Sequence, residues 1–123
     1  MSSFLMIYID ENTQLDPDVM MKAISAIDHA NIGLAKEEYS EGFGTYTFEN
    51  ESTNINIGKD WEYIAAESMN KAGFHFAFML NQKLNTELTV TDSDYSFLCK
   101  MNQISSFEEF NNIANQGIYM AEQ

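Results

Sequence analysis

Arginine is absent from this chain, and its six lysines face nineteen carboxylates, which leaves a formal charge of −13 on 123 residues. Proteins that hold nucleic acid neutralise its phosphates with Lys and Arg, so direct nucleic-acid binding is excluded as the expected activity. Anionic membrane surfaces are disfavoured for the same reason, and no membrane partner is expected. Cysteine is nearly missing too. The single Cys99 has no internal disulfide partner, and its place between Leu98 and Lys100 reads as a small buried hydrophobe. One proline, Pro17, and no linker rich in Pro, Gly or Ser leave no domain boundary, so one domain over residues 1–123 is expected. Long apolar runs are also lacking. Phe4 to Ile9 is too short for a membrane span or a signal peptide and no basic segment precedes it, which makes a cytoplasmic location the expectation. No Cys or His pair has zinc-ligand spacing, and an EF-hand fails for want of its Gly and its twelfth-position Glu. Neither a metal nor a cofactor is expected.

What is present is enough for a core. Hydrophobic residues make up 45% of the chain and aromatics 13%, spread along its length, so the acidity belongs to a folded protein and not to a disordered tail. Phe4-Leu5-Met6-Ile7-Tyr8-Ile9 is apolar on both alternating faces and predicts a strand in the middle of a sheet. Asp16-Pro17-Asp18 is a helix start, with Asp16 as cap and Pro17 free of an N–H to waste. Val19, Met20, Ala23, Ile24 and Ile27 recur at helical spacing and carry that helix to about Asn31–Gly33, with His29 in its last turn. A hairpin is expected next, Leu34 to Glu41 and Thr45 to Asn50 flanking a Gly42-Phe43-Gly44 turn, followed by a strand from Thr53 to Gly58. The pattern then turns helical from about Met69 to Leu84. Phe74, Phe76 and Phe78 alternate as in a strand, but the good helix formers from Ala77 to Leu84 decide the assignment. Leu88 to Thr91 is a short strand, Tyr95 to Met101 continues it or begins another, and a helix capped at Ser105 or Ser106 carries Phe107, Phe110 and Ile113. This order belongs to an α+β fold: a mostly antiparallel sheet with helices on one face, in split βαβ or ferredoxin-like order, plus a C-terminal helix.

Two constellations invite chemistry. Leu88 to Asp94 is an apolar strand ending in D-x-D, and over these residues it resembles the first motif of haloacid-dehalogenase-like phosphatases. Those enzymes carry the motif near the N-terminus of a larger parallel-sheet domain, whereas few residues follow it here. Asp92 and Asp94 otherwise read as a turn bonded to local amides. A small ferredoxin-like enzyme using Asp92, Asp94 and His75 is the reading that follows from the motif. Sequence brings neither His29 nor His75 near Cys99, and His75 between Phe74 and Phe76 reads as a satisfied core histidine.

The acids are the stronger signal. Glu37, Glu38 and Glu41 lie on one hairpin strand, Glu49 and Glu51 near the return of the next, Asp60 and Glu62 after the third strand, and Asp92 and Asp94 at a strand end. Alternation sends Glu37 and Glu38 to opposite faces, so these carboxylates do not all share one patch. Carboxylates about 7 Å apart repel by roughly 0.6 kcal/mol even in water, a cost that a cationic partner relieves. Tyr39, Tyr46, Trp61 and Tyr63 stand among them as candidate interface anchors, with Tyr46 and Trp61 equally suited to a core. The partner these residues imply is a basic protein surface.

In size, charge and αβ pattern, with the run Asn54 to Trp61 and the stretch from Phe76-Ala77-Phe78-Met79-Leu80 through Thr91-Asp92-Ser93-Asp94-Tyr95-Ser96-Phe97, the chain resembles immunity proteins of bacterial polymorphic-toxin and contact-dependent growth inhibition systems. That resemblance implies a toxin C-terminal domain as partner, a tight 1:1 complex and no catalysis. A nuclease must be cationic where it grips phosphate, so an acidic antidote is steered to that site. A phage-type inhibitor that mimics DNA is the neighbouring expectation.

Overall fold

The computed structural model describes residues 3–120. Strands β1 (Leu5–Tyr8), β2 (Ala30–Glu37), β3 (Ser40–Phe48), β4 (Glu51–Gly58), β5 (Ile64–Ala66), β6 (Thr89–Asp92) and β7 (Leu98–Lys100) alternate with helices α1 (Pro17–Ser25), α2 (Lys71–Gln82) and α3 (Phe107–Gln116). The strands form one seven-stranded sheet in the order β2-β3-β4-β5-β1-β6-β7, antiparallel at every pairing. This is the expected α+β architecture. Its inner strands β6-β1-β5-β4, with α1 after β1 and α2 before β6, follow the split βαβ order. The β2–β3 hairpin extends that unit at one edge and β7 at the other.

Register shows which face is covered. Leu5 stands opposite Ala66 and Asp92, Ile7 opposite Ile64 and Val90, Ile57 opposite Gly42, and Cys99 opposite Val90; these residues share the core face. The α2 residues Ala72, Phe76, Ala77 and Leu80 pack in that core, and so do Met20 and Ile24 of α1 and Phe110 and Ile113 of α3. The other face, with Phe43, Asn56, Ala65, Met6 and Thr91 in one row, carries no described helix. No described helix is long and apolar enough to cross a membrane.

Local chemistry accounts for the helices. Asp16 accepts from the Val19 N–H at 3.1 Å with Pro17 at the first position. Asn70 accepts from Gly73 N–H at 2.9 Å and Ser106 from Glu109 N–H at 3.1 Å, each filling an orphan donor at a helix start. Gly117, at φ 67°, ends α3 in the left-handed conformation that glycine adopts without a Cβ clash. The alternation of Phe74, Phe76 and Phe78 comes from a helix wedged between two layers. Residues four apart share one side: Phe74 meets Phe110 and Phe78 meets Phe107 on α3, while Phe76 turns to Tyr46 on the sheet.

The structure corrects several boundaries. Helix α1 stops at Ser25, and His29 lies beyond it at φ 68°, so the strand from Ala30 begins where more helix is expected. Gly42-Phe43-Gly44 is not a turn but the middle of β3, paired with Leu34, Gly33 and Ile32; the chain reverses at Glu38-Tyr39. A Cβ on Gly44 would lie 1.9 Å from the Asn31 carbonyl oxygen. The glycine therefore marks a close approach of two backbones. The β3–β4 turn falls at Glu49-Asn50, both with positive φ, as a two-residue hairpin turn requires. Strand β5, a three-residue Ile64-Ala65-Ala66 segment, has too little alternation to be found by period.

Candidate functional site

The β2–β3 turn and the β4–β5 connection meet at one end of the sheet, because Ser40 pairs with Gly58 at the foot of both. The Asp60 N–H donates to the Glu41 carboxylate at 2.9 Å and ties the two segments together. The first strand's exit joins them: Leu15 N–H donates to the Trp61 carbonyl at 2.8 Å and Gln14 Nε2 to the Asp60 carbonyl at 2.8 Å. Glu37, Glu38, Tyr39, Glu41, Asp60, Trp61 and Glu62 thus occupy one end. Glu37, Glu38, Asp60 and Glu62 are exposed, and Tyr39 is 71% exposed. Lys36 Nζ stands 3.8 Å from a carboxylate oxygen of the mostly covered Glu41, a weak match for so many acids. Trp61 is half-buried and packs against the core, so its ring is a support more than an anchor.

The remaining candidates lie elsewhere. Glu49 and Glu51 sit at the opposite end of β3–β4, where Glu49 pairs with Lys71 Nζ at 3.0 Å and Glu51 accepts from the Lys71 N–H at 2.8 Å. They hold the start of α2. Asp92 is 3% exposed and its carboxylate accepts the Ser96 N–H at 2.7 Å and the Ser96 hydroxyl, while exposed Asp94 accepts the Ser3 hydroxyl. That is the local turn chemistry of a strand-ending Asp. Its oxygens close the 92–96 turn and do not face a cleft. Among the described residues no group of three or more His, Cys, Asp or Glu is placed to hold a metal ion. Cys99 is fully buried, and burial pushes its thiol up to about 12.

Tyr46 belongs to the interior. It is 3% exposed, and its hydroxyl lies 2.6 Å from His75 Nδ1. The His75 ring stacks on Phe48 at a centroid distance of 3.6 Å and meets the edge of Phe107 at 4.9 Å. Burial lowers the His75 pKa from the ordinary imidazole value, against a smaller opposing pull from Glu49. A neutral imidazole whose Nδ1 accepts from Tyr46 is the packed histidine expected from its apolar neighbours. The fold does bring both imidazoles to one groove, with His29, His75, Asp28, Tyr46 and Lys83 among its walls. Sequence spacing does not reveal this, because it depends on β3 passing beside the end of α1.

A second groove missed by sequence lies on the face of the sheet away from the described helices, beside the acidic end. Tyr8, Tyr63 and Tyr95 line it with Asp10, Glu11 and Glu62. Comparison of the chain with protein-family models, with curated proteins and with solved structures finds no match.

Proposed function

We propose that this chain is a binding module that neutralises a basic protein, acting as an immunity protein against a cationic toxin domain, most simply a nuclease. The observation that carries the reading is the convergence of Glu37, Glu38, Glu41, Asp60 and Glu62 around exposed Tyr39 at one end of the sheet. Nineteen carboxylates against six lysines leave at least thirteen without a lysine each, so internal pairing does not absorb the charge. A cationic partner does, and it is attracted from a distance: complementary fields raise encounter rates by about 10 to 1,000-fold at low salt. The aromatic ring in the acidic rim is the kind of side chain that anchors such an interface.

The test is co-expression with the gene immediately upstream, whose product is expected to end in a basic, toxic domain that copurifies with this chain. Glu37→Gln with Glu38→Gln should slow association about tenfold at low salt and much less at high salt. Glu108→Gln on α3, exposed on the helical side, should change little. An acidic upstream domain, or association indifferent to the turn variant and to salt, would sink the reading.

A further inference from the structure

The two edges and two faces of the sheet are not treated alike. Residues Ile118 to Met120 cover the β7 edge, with Leu98 N–H donating to the Ile118 carbonyl and Met120 N–H to the Leu98 carbonyl. Helices cover the core face. On the opposite face, which no described helix covers, β1 presents Met6 and Tyr8, side chains with apolar bodies.

Beside them is a groove of about 410 Å³, within the roughly 300–1,000 Å³ of ligand pockets. One of its aromatic walls is packed on the sheet. The Tyr63 ring lies against Gly58, where a Cβ would stand 2.6 Å from the ring, and Gly58 N–H donates to the Tyr63 carbonyl at 2.8 Å. Tyr8 is half-buried on β1. Tyr95 is 61% exposed, at the tip of the turn closed by Asp92, with its N–H on the Asp92 carbonyl at 3.0 Å. The Asp10 carboxylate accepts the Asn12 N–H at 2.8 Å, and this bond holds its pKa below the usual carboxylate range. Glu11 and Glu62 complete the acidic side. The cation on the same face is Lys100, whose Nζ donates to Thr89 Oγ1 at 3.3 Å.

We propose that this groove receives a lysine or arginine side chain from an extended basic segment of the partner, its cationic head between the faces of Tyr8, Tyr63 and Tyr95 and its charge met by Asp10, Glu11 and Glu62. The inference rests on the binding role above and names the subsite of that role. Charge complementarity selects the occupant: with Lys100 counted against Asp10, Glu11 and Glu62 the rim is still anionic. Tyrosine faces attract an ammonium or guanidinium, more strongly as it is desolvated. A neutral apolar segment would leave the carboxylates desolvated and unpaired.

Amide chemical-shift titration of the intact chain decides the matter, with the acetylated and amidated peptide Gly-Arg-Gly-Arg-Gly as probe and Gly-Gln-Gly-Gln-Gly as control. The arginine peptide should shift amides 8, 10–14, 62–63 and 95 and the glutamine peptide should not. Tyr95→Ala with Glu62→Gln, both at exposed positions, should weaken binding at least fivefold and leave the rest of the spectrum in place. Shifts confined to residues 37–41, equal response to both peptides, or an unchanged affinity in the double variant overturns the proposal. So does tighter binding of spermidine at the same amides, which would make the ligand a free polyamine. If the upstream product binds the double variant as it binds the parent, only this subsite fails. If it binds neither, the functional reading fails with it.

Discussion

Gly44 and Gly33 face each other's strands across the β2–β3 hairpin, and replacing each by alanine separates two meanings of glycine in a sheet. A Cβ on Gly44 meets the Asn31 carbonyl oxygen at 1.9 Å, Ile32 Cα at 2.5 Å and Asn31 C at 2.8 Å, all backbone of β2. An ordinary C···O contact is about 3.3 Å, so β2 must retreat by roughly 1.4 Å. A ladder bond of ordinary length stretched that far is no longer a hydrogen bond. Overpacking costs about 1–3 kcal/mol, and each lost ladder bond adds about 1 kcal/mol. Gly44→Ala is therefore expected to lose about 2–4 kcal/mol, by strain or by β2 peeling from its edge position. Gly33 has nothing within 4 Å of an added Cβ and no positive φ, so Gly33→Ala should be neutral or stabilise by up to about 1 kcal/mol through a less disordered unfolded chain. Urea denaturation supplies the free energies, and amide exchange in residues 30–37 locates the damage. The reasoning is refuted if Gly44→Ala stays within about 0.5 kcal/mol of the parent with β2 still protected, or if Gly33→Ala is equally harmful. Because the same hairpin ends in the Glu37–Glu41 turn, the Gly44 variant should also weaken partner binding without touching a charge.

Tyr46→Phe removes the hydroxyl that meets His75 Nδ1 at 2.6 Å and should cost about 1–2 kcal/mol in urea denaturation. Burial depresses the folded pKa of His75, so its contribution to stability is complete above the unfolded value of about 6.5 and is lost as pH falls through the folded one; proton NMR should find its midpoint below about 6.5. Asp92→Asn, which keeps the shape but replaces a carboxylate acceptor for the Ser96 N–H and hydroxyl, should lower stability by about 1–3 kcal/mol and loosen amides 93–96, Tyr95 among them. Cys99 carries the opposite sign. Its thiol stays protonated to about 12 when folded but ionises near 8.5 when unfolded, so stability should fall by up to about 1.4 kcal/mol per pH unit between them, a slope that Cys99→Ala removes.

Two helix starts are legible in this sequence because their physics is local: Asp16 and Ser106 each act on a donor three residues away, while the Asn70 cap of α2 goes unread. The hairpin is not, because Gly42 and Gly44 carry the same letter whether they turn the chain or let another strand pass close. The difference lies in residues 31–34 of the neighbouring strand, which is eight to thirteen positions earlier. Acidity is legible as composition, but the grouping is not. Glu41 and Asp60 meet only because β3 and β4 pair in register, and Glu49 and Glu51 are taken by Lys71 for the same reason.

The face away from the described helices hides in a subtler way. Every residue of β1 is apolar or aromatic, and periodicity reads such a strand as buried on both sides. The fold covers the side of Leu5 and Ile7 with helices and leaves Met6 and Tyr8 only half-buried. Asn56, Ala65, Thr89 and Thr91 make much of that face polar or small, and against them β1 sets Met6 and Tyr8, with the carboxylates of Asp10, Glu11 and Glu62 close by. A half-buried aromatic body beside carboxylates suits the cationic side chain proposed above. Here it lies next to the end of the sheet where the unabsorbed negative charge has collected.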